Sequence, residues 1–454
     1  ETCSHLCDTK HLPTGFDKEC GYRIGEDLEY LPDPSFLHCA RLHPNEQWRR
    51  ERHAISEFAE RLQNPERCDD PNQAWRLLSF RNCGFAAAVG QTATQSIWDA
   101  WLHGEAVVMS SLPWRYADDD GRCGSGYSCY MKPLTRCQLK DIPAGNIFYK
   151  EAQLCESPAG AKLDPSCTLA QACGPLGTYN FTSGLCDCPE GYMSGDRGCK
   201  EESAVGKMLK DLEKLKRAPN FERGIHPGSF PYWSMTRYGK RPVRNKISNP
   251  VPSIEFIEGK KFGTPAVLKY LMDSAFARHQ PPLHHHQSDC VGVHVRRGDA
   301  CFRRRHCYAD EVYVRQVKRL LSRYGNVSSV VIATDDAHAV DSLTEKFSQI
   351  GLETHAQSID RAKYIPVRKG ALLEHNPSFA GTEFAADIVL DMWHLSSCQM
   401  FVGDKVSWAF VMSYQLAVGR KGYYPPFIHL NISEDGMTKE QIDALPLSYK
   451  QGMS

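Results

Sequence analysis

Two neighbouring arginines, Arg296 and Arg297, follow a short apolar run, Cys290 to Val295, within the sequence DCVGVHVRRGD. The run is rich in β-branched residues and ends where charge begins, which predicts a buried parallel strand. In an open α/β sheet, ligands bind just beyond the carboxyl ends of the strands. A guanidinium group matches two phosphate oxygens at once, and adjacent groups suit a diphosphate. We therefore expect this pair to bind a diphosphate and not to form ordinary surface salt bridges.

Two more strand ends carry polar residues that could join such a site. Asp335 and Asp336 follow the apolar run 329–333, and Ser407 opens an apolar helix after the run 400–403. Each of these residues could be an ordinary helix cap. A carboxylate at a strand end can also bind a ribose or a guanine, and a helix N-terminus favours a phosphate. Asp391 falls on the polar face of a predicted helix with Asp387, where sequence alone indicates exposure to solvent.

The elements that must position these residues alternate between strands and helices from about residue 288 to 420. This alternation predicts an α/β fold with a Rossmann-like parallel sheet. We expect five regions: a cysteine-rich N-terminal region (1–82), a first α/β lobe (83–150), a small disulfide-rich module (151–202), a linker with a returning helix (203–287), and a Rossmann-like lobe that carries the diphosphate site (288–454).

Composition limits the class of protein. The 454 residues contain 54 Lys and Arg against 54 Asp and Glu, so no net charge attracts nucleic acid. Nineteen cysteines and three glycosylation sequons, at Asn180, Asn326 and Asn431, indicate the lumen of the Golgi or the endoplasmic reticulum, or the extracellular space. No stretch approaches the roughly 20 apolar residues of a membrane span. Because the chain begins at Glu1 without Met, we expect a leader or an N-terminal membrane anchor to lie outside it.

Neither cluster of metal-ligand residue types predicts a metal site. The run His284 to His286 places neighbouring side chains on alternating faces of an extended segment, so the three rarely share one ion. The run Asp118 to Asp120 lies in a polar turn before Gly121, where a solvated loop is the expected structure. We expect no metal and no cofactor.

The sequence CDCPEGYMSGDRGC, from Cys186 to Cys199, resembles the second half of an epidermal-growth-factor-like (EGF-like) module. So short a segment needs crosslinks, because it cannot bury a useful core. The resemblance implies the pairs Cys155–Cys173, Cys167–Cys186 and Cys188–Cys199. Six cysteines by themselves allow fifteen connectivities. Between two enzyme-like lobes, we expect this module to be a spacer or a platform for an acceptor.

The order of the motifs resembles the α1,6-fucosyltransferases and their wider kin, which include the protein O-fucosyltransferases. The matching pieces are CGF at 83–85, WRYA at 114–117, GVHVRRGD at 292–299, ATDD at 333–336, LDMWHLS at 390–396 and FVGDKVSWA at 401–409. The resemblance implies a two-lobed, GT-B-type glycosyltransferase that is inverting and metal-independent and uses GDP-fucose as its donor. Its acceptor would be a hydroxyl of a glycan or glycoprotein.

The resemblance also assigns roles to individual residues. It implies that His294, Arg296 and Arg297 bind the diphosphate and sugar of the donor. It implies that Asp335, Asp336 and Asp391 contact the nucleotide or order the loops around it, and that Ser407 contacts phosphate.

The chain departs from the core-fucosylating members of this family after its Arg-Arg-x-Asp sequence. Where those members carry a Lys and, a few residues later, a Glu linked to acceptor activation, this chain has Ala300 and Arg304. Asp299 is the nearest retained carboxylate, so we predict Asp299 and Arg297 as the catalytic residues. Asp310 and Glu311 are the alternative bases. Two rival functions stay open: transfer from another nucleotide sugar, and a catalytically inactive relative that acts as an extracellular binding protein.

Cys301 and Cys307 flank the sequence FRRRH, directly after the arginine pair. We predict that they form a disulfide and close a small basic loop beside the donor site. The alternative is that each bonds elsewhere.

Overall fold

The computed structural model describes residues 29–32, 34–42, 56–78, 85–86, 89–90, 93–102, 104–109, 131–143, 146–149, 178–180, 185–187, 192–195, 198–201, 263–274, 289–297, 301, 307–325, 327–361, 381–404, 407–430 and 436–438. The strands are β1 (Glu29–Tyr30), β2 (Trp75–Leu78), β3 (Ala106–Met109), β4 (Ile147–Tyr149), β5 (Thr178–Asn180), β6 (Leu185–Asp187), β7 (Tyr192–Gly195), β8 (Gly198–Glu201), β9 (Cys290–Val295), β10 (Ser329–Thr334), β11 (Glu353–Ala356), β12 (Met400–Gly403) and β13 (Phe427–His429). The helices are α1 (Pro34–Leu42), α2 (56–63), α3 (Thr94–Leu102), α4 (Gly263–Ser274), α5 (Asp310–Tyr324), α6 (Ala337–Ser348), α7 (Gly381–Leu395) and α8 (Trp408–Lys421).

The larger sheet has six strands in the order β1-β13-β12-β9-β10-β11. All neighbouring strands in it are parallel except the short β1, which pairs antiparallel with β13. The α/β fold with a parallel sheet is therefore confirmed.

Both faces of this sheet are covered, which is why β9, β10 and β12 are buried at every residue. Val291, Val293 and Val295 of β9 pack in one cluster with the apolar sides of α5 and α6. The intervening positions of β9 face α7 and α8, where Gly292 lies against Leu395. Helices on both faces of a parallel sheet define the doubly wound arrangement.

A smaller parallel sheet, in the order β3-β2-β4, lies in the first half of the chain. Its central strand, β2, comes before residue 83. The region 1–82 also supplies β1 to the larger sheet. There, Arg319 of α5 binds Glu29 of β1 through two hydrogen bonds of 2.5 and 2.9 Å. Its described residues are thus built into both sheets.

Two further disulfides tie distant parts of the chain together. Cys68 pairs with Cys137 across 69 residues, and Cys290 pairs with Cys398 across 108 residues. The second links the start of β9 to the segment that enters β12. Together with Cys301–Cys307 they make three disulfides among the described residues, as an oxidising compartment would favour.

The region of the EGF-like resemblance contains two antiparallel strand pairs, β5 with β6 and β7 with β8. The pairing of its six cysteines lies outside what the structure describes, so the EGF-like module stays a prediction. Asn180 ends β5, whereas Asn326 and Asn431 lie outside the described residues.

Gly403, the last residue of β12, lets that strand lie close to α8. A Cβ added there would lie 2.7 Å from Cε2 of Phe410, whose ring packs against His429 with centroids 5.3 Å apart. Because the ring is held from its other side, we expect Gly403→Ala to lower the free energy of unfolding by about 1–3 kcal/mol. Urea denaturation measures this change. Ser322→Ala, on the exposed side of α5, is the control. Gly351→Ala is unsuitable because the φ of Gly351 is +77°, which alanine adopts only with strain.

Candidate functional site

The strand order places a topological switch point between β9 and β12. From β9 the chain moves outward through β10 to β11 and then returns to the other side of β9 as β12. The helix that follows β9 and the helix that follows β12 therefore cover opposite faces of the sheet. This leaves a crevice outside the carboxyl ends of these two strands. Ligands of doubly wound proteins bind in this crevice.

The structure brings the described site residues of the sequence analysis to this end of the sheet. His294 is on β9, Arg296 and Arg297 follow β9, Asp335 and Asp336 follow β10, Ser407 precedes α8, and Asp391 is on α7. Asp299, the predicted base, lies outside the described residues.

Arg296 is the more accessible of the two arginines, with 36% of its side chain exposed. Its guanidinium group forms an ion pair with Asp335. The other oxygen of that carboxylate accepts a 2.8 Å hydrogen bond from the backbone N–H of Arg297. Asp335 thus fixes both the turn after β9 and the direction of the Arg296 side chain.

Arg297 has a different environment, with only 11% of its side chain exposed. Its guanidinium group pairs with Asp310, donates a 3.0 Å hydrogen bond to the carbonyl of Tyr308, and lies 3.6 Å from Asp336. Burial alone would lower the pKa of Arg297, but these carboxylates raise it above its ordinary value. Arg297 is thus bound by protein groups on several sides, and its contact with a diphosphate stays a prediction.

His294 is 5% exposed and lies next to the start of α8. Its Nε2 is 3.4 Å from the hydroxyl oxygen of Ser407, and its Nδ1 has no hydrogen-bond partner in the part of the chain that the structure describes. Burial lowers the pKa of His294 to about 4, so the ring is neutral at pH 7. It can hydrogen-bond a ligand, but it does not add a cation for a diphosphate.

Asp336 is the N-cap of α6, where its carboxylate accepts a 3.0 Å hydrogen bond from the N–H of His338. Burial raises the pKa of Asp336, partly offset by Arg297. The capping role that the sequence allowed is therefore present. Ser407 is the N-cap residue of α8, but its side chain makes no capping hydrogen bond, which leaves the hydroxyl directed to other partners.

The position of Asp391 in the sequence suggested a solvated face of the helix. The structure instead buries most of its side chain. Its side chain is 15% exposed and pairs with Arg361, whose Nη2 lies 3.3 Å from each carboxylate oxygen. Burial raises the pKa of Asp391 to about 7, against the opposing effect of Arg361. Sequence reasoning missed Arg361, because no motif or periodic pattern surrounds it.

The alternative bases named from the sequence are both engaged elsewhere. Asp310 pairs with Arg297 and also accepts a hydrogen bond from the hydroxyl of Ser342. Glu311 forms an exposed ion pair with Lys346 at 2.8 Å. Asp299 accordingly stays the predicted base.

The disulfide between Cys301 and Cys307 joins the two ends of the basic segment beside the site. The N–H of Cys301 donates to the carbonyl of Arg297 at 3.0 Å, and Tyr308 comes directly after Cys307. Both ends are thus attached to the surroundings of Arg297. Residues 302–306 lie outside the described part of the chain.

Among the described residues, no group of three or more His, Cys, Asp or Glu side chains could hold a metal ion, and no helix has the length and apolar character of a membrane span. The runs 118–120 and 284–286 lie outside the described residues. A groove of about 370 Å³ is lined by Glu60, Asn64, Arg136 and Tyr270, none of which belongs to the crevice at β9.

The sequence matches no protein-family model and no curated protein. Among solved structures, the fucosyltransferase NodZ from Bradyrhizobium is 13% identical, with 80% of this chain and 97% of that chain covered and a TM-score of 0.34. POFUT1 in complex with GDP is 12% identical, covering 77% of this chain and 96% of that chain, with a TM-score of 0.32. Another POFUT1 structure, with GDP-fucose, is 15% identical and is matched over half of its length and 37% of this chain, with a TM-score of 0.25. The chain is thus similar to these proteins over much of its length, at low identity.

Proposed function

We propose that this protein is an inverting, metal-independent glycosyltransferase of the two-lobed GT-B type. It transfers fucose from GDP-fucose to a hydroxyl of a glycan or glycoprotein, in the lumen of the secretory pathway or outside the cell. The observation that carries the proposal is the position of Arg296, a partly exposed guanidinium group at the switch point of a doubly wound sheet. The motif resemblance supports the choice of GDP-fucose.

The chemistry of the crevice suits a leaving nucleoside diphosphate. Arg296 supplies a fixed cation after β9, and α8 begins across the switch point from it. The first N–H groups of a helix lack acceptors within the helix, and its dipole favours an anion there. In this role the hydroxyl of Ser407, which caps no N–H group, donates to a phosphate oxygen.

The reaction is a single displacement at the anomeric carbon of the sugar. The acceptor hydroxyl forms the new C1–O bond as the bond from C1 to the diphosphate breaks, and its proton passes to a carboxylate, for which we propose Asp299. Negative charge grows on the departing diphosphate, so a fixed cation stabilises the transition state more than the ground state. This role for Arg296 needs no divalent ion.

A comparison of nucleotides by thermal unfolding tests the proposal. We expect GDP and GDP-fucose to raise the unfolding temperature, because a ligand that binds only the folded state adds about 2.7 kcal/mol at a concentration of 100 Kd. The shift should persist in EDTA. UDP, ADP and CMP are the controls, since they carry phosphate without guanine.

Each rival function has its own outcome in that experiment. A larger increase in unfolding temperature with another nucleoside diphosphate would indicate that the donor is a different nucleotide sugar. The absence of a shift with every nucleotide would favour the hypothesis of a catalytically inactive relative. Ala300 and Arg304 also favour that hypothesis, because they stand where core-fucosylating members of the family carry Lys and Glu.

A further inference from the structure

Among the residues that the structure describes, no strand pairs with the outer side of β10 at its carboxyl end. On one side, β9 pairs with β10 along its whole length, up to Thr334 opposite Val295. On the other side, β11 pairs only as far as Ile332. The backbone of Thr334 therefore extends beyond its outer neighbour, directly before Asp335.

An arginine side chain takes the place of a strand at this position. Arg361 donates from Nε to the carbonyl oxygen of Thr334 at 2.8 Å and from Nη2 to the carboxylate of Asp391. The backbone of Thr334 is close enough to Asp391 to lower the pKa of that carboxyl group. A buried backbone acceptor without a partner would cost free energy, so Arg361 satisfies the carbonyl group of Thr334.

Arg361 is itself held in one orientation. It is 5% exposed, donates from Nη1 to the carbonyl of Gln357 at 3.0 Å, and donates from Nη2 to Asp391. Its planar donors thus join the segment after β11, the end of β10 and helix α7. Lysine has one point charge and lacks this fixed arrangement of donors.

Thr334 sets the positions of the two residues after it. Asp335, the first of them, holds both the Arg296 guanidinium group and the N–H of Arg297. The hydroxyl of Thr334 also accepts a 3.1 Å hydrogen bond from the N–H of Asp336, the N-cap of α6. A shift of Thr334 would therefore change the direction of the Arg296 side chain.

We propose that Arg361, together with Asp391, is a positioning residue of the donor site: it fixes the end of β10 and through Asp335 holds Arg296 toward the crevice. The inference rests on the proposed function. It makes Arg361 a determinant of diphosphate affinity although it touches no ligand.

The test is the affinity of the folded protein for inorganic pyrophosphate, measured by calorimetry at about 15 °C, near the usual temperature of maximum stability, with circular dichroism to verify folding. We expect Arg361→Gln to lower the affinity about tenfold, an effect common for residues that support a binding group. Arg361→Lys should give a smaller loss, and it replaces Arg361→Gln if that variant does not fold. Arg420→Gln is the matched control, because Arg420 is half-buried and also donates to backbone, at 3.3 Å to the carbonyl of Trp393, but at the end of α8 away from the crevice.

A second measurement separates positioning from a general structural effect. If Arg361 acts through Arg296, then Arg361→Gln should weaken pyrophosphate binding much less in the Arg296→Lys variant than in the unaltered chain, because coupled residues are not additive. Equal losses in both backgrounds, or an unchanged affinity in folded Arg361→Gln, would overturn the inference. If the unaltered chain binds neither pyrophosphate nor GDP, the proposed function fails first, and this inference with it.

Discussion

Arg296→Ala is expected to lower the affinity for GDP about 100-fold, close to 2.7 kcal/mol, as the loss of a charged partner in a partly buried contact commonly does. Arg296 is the accessible cation at the end of β9, and its 36% exposure leaves it room to meet a ligand. The fold should be unaffected, because Arg296 is not a member of the apolar clusters and Asp335 keeps its hydrogen bond from the N–H of Arg297. Titration calorimetry with GDP measures the change.

Arg61→Ala is the control for this experiment, since Arg61 is an exposed arginine on α2 with an ion pair to Glu57 at 3.9 Å. It should leave GDP affinity unchanged. Because the Arg296 side chain pairs with Asp335, the diphosphate must compete with that carboxylate. Raising the salt concentration should weaken both the ion pair and the binding of GDP. GDP binding that survives in folded Arg296→Ala would remove the main support of the proposed site.

Arg297→Ala is expected to lower the free energy of unfolding by about 3–5 kcal/mol, the usual cost of removing one partner of a buried ion pair. The alanine would leave the carboxylates of Asp310 and Asp336 facing each other without a cation. Arg297→Lys should cost less, because it keeps the charge but not the hydrogen bond to Tyr308. Urea denaturation measures these differences.

The Asp310→Asn change provides the matched control for Arg297. In the Arg297→Ala background it removes one uncompensated charge, so it should restore part of the lost stability, whereas in the unaltered chain it should lower stability. If Arg297→Ala instead leaves stability unchanged and abolishes GDP binding, Arg297 is a donor-binding residue, as the motif resemblance implies.

The strands and helices around the crevice could be predicted because each is an apolar run bounded by charge or glycine. The predicted strand at 290–295 is the strand that the structure has, and the predicted helix that carries Asp387 and Asp391 is Gly381–Leu395. Parallel pairing is then expected from the alternation of strands with helices. The meeting of Arg296 with Asp335 is expected too, since both directly succeed adjacent parallel strands.

The partners of buried charges could not be predicted in the same way. Arg297 pairs with Asp310 and Arg361 pairs with Asp391, 13 and 30 residues apart, and no periodic pattern connects the members of either pair. The strand β2 was missed for a related reason. Its second residue, Arg76, looks like a surface residue in the sequence but is 1% exposed and pairs with the buried Glu105.

The Cys290–Cys398 bond has a mechanical consequence for the whole molecule. It joins the amino ends of β9 and β12, the two strands whose carboxyl ends border the crevice. Both of its cysteines are fully buried. β9 and β12 therefore cannot separate to admit a bulky molecule. Any opening of the crevice has to come from the segments that follow the carboxyl ends of these strands. The bond also restricts the unfolded chain, because it joins residues 108 positions apart, and so lowers the conformational entropy of that state.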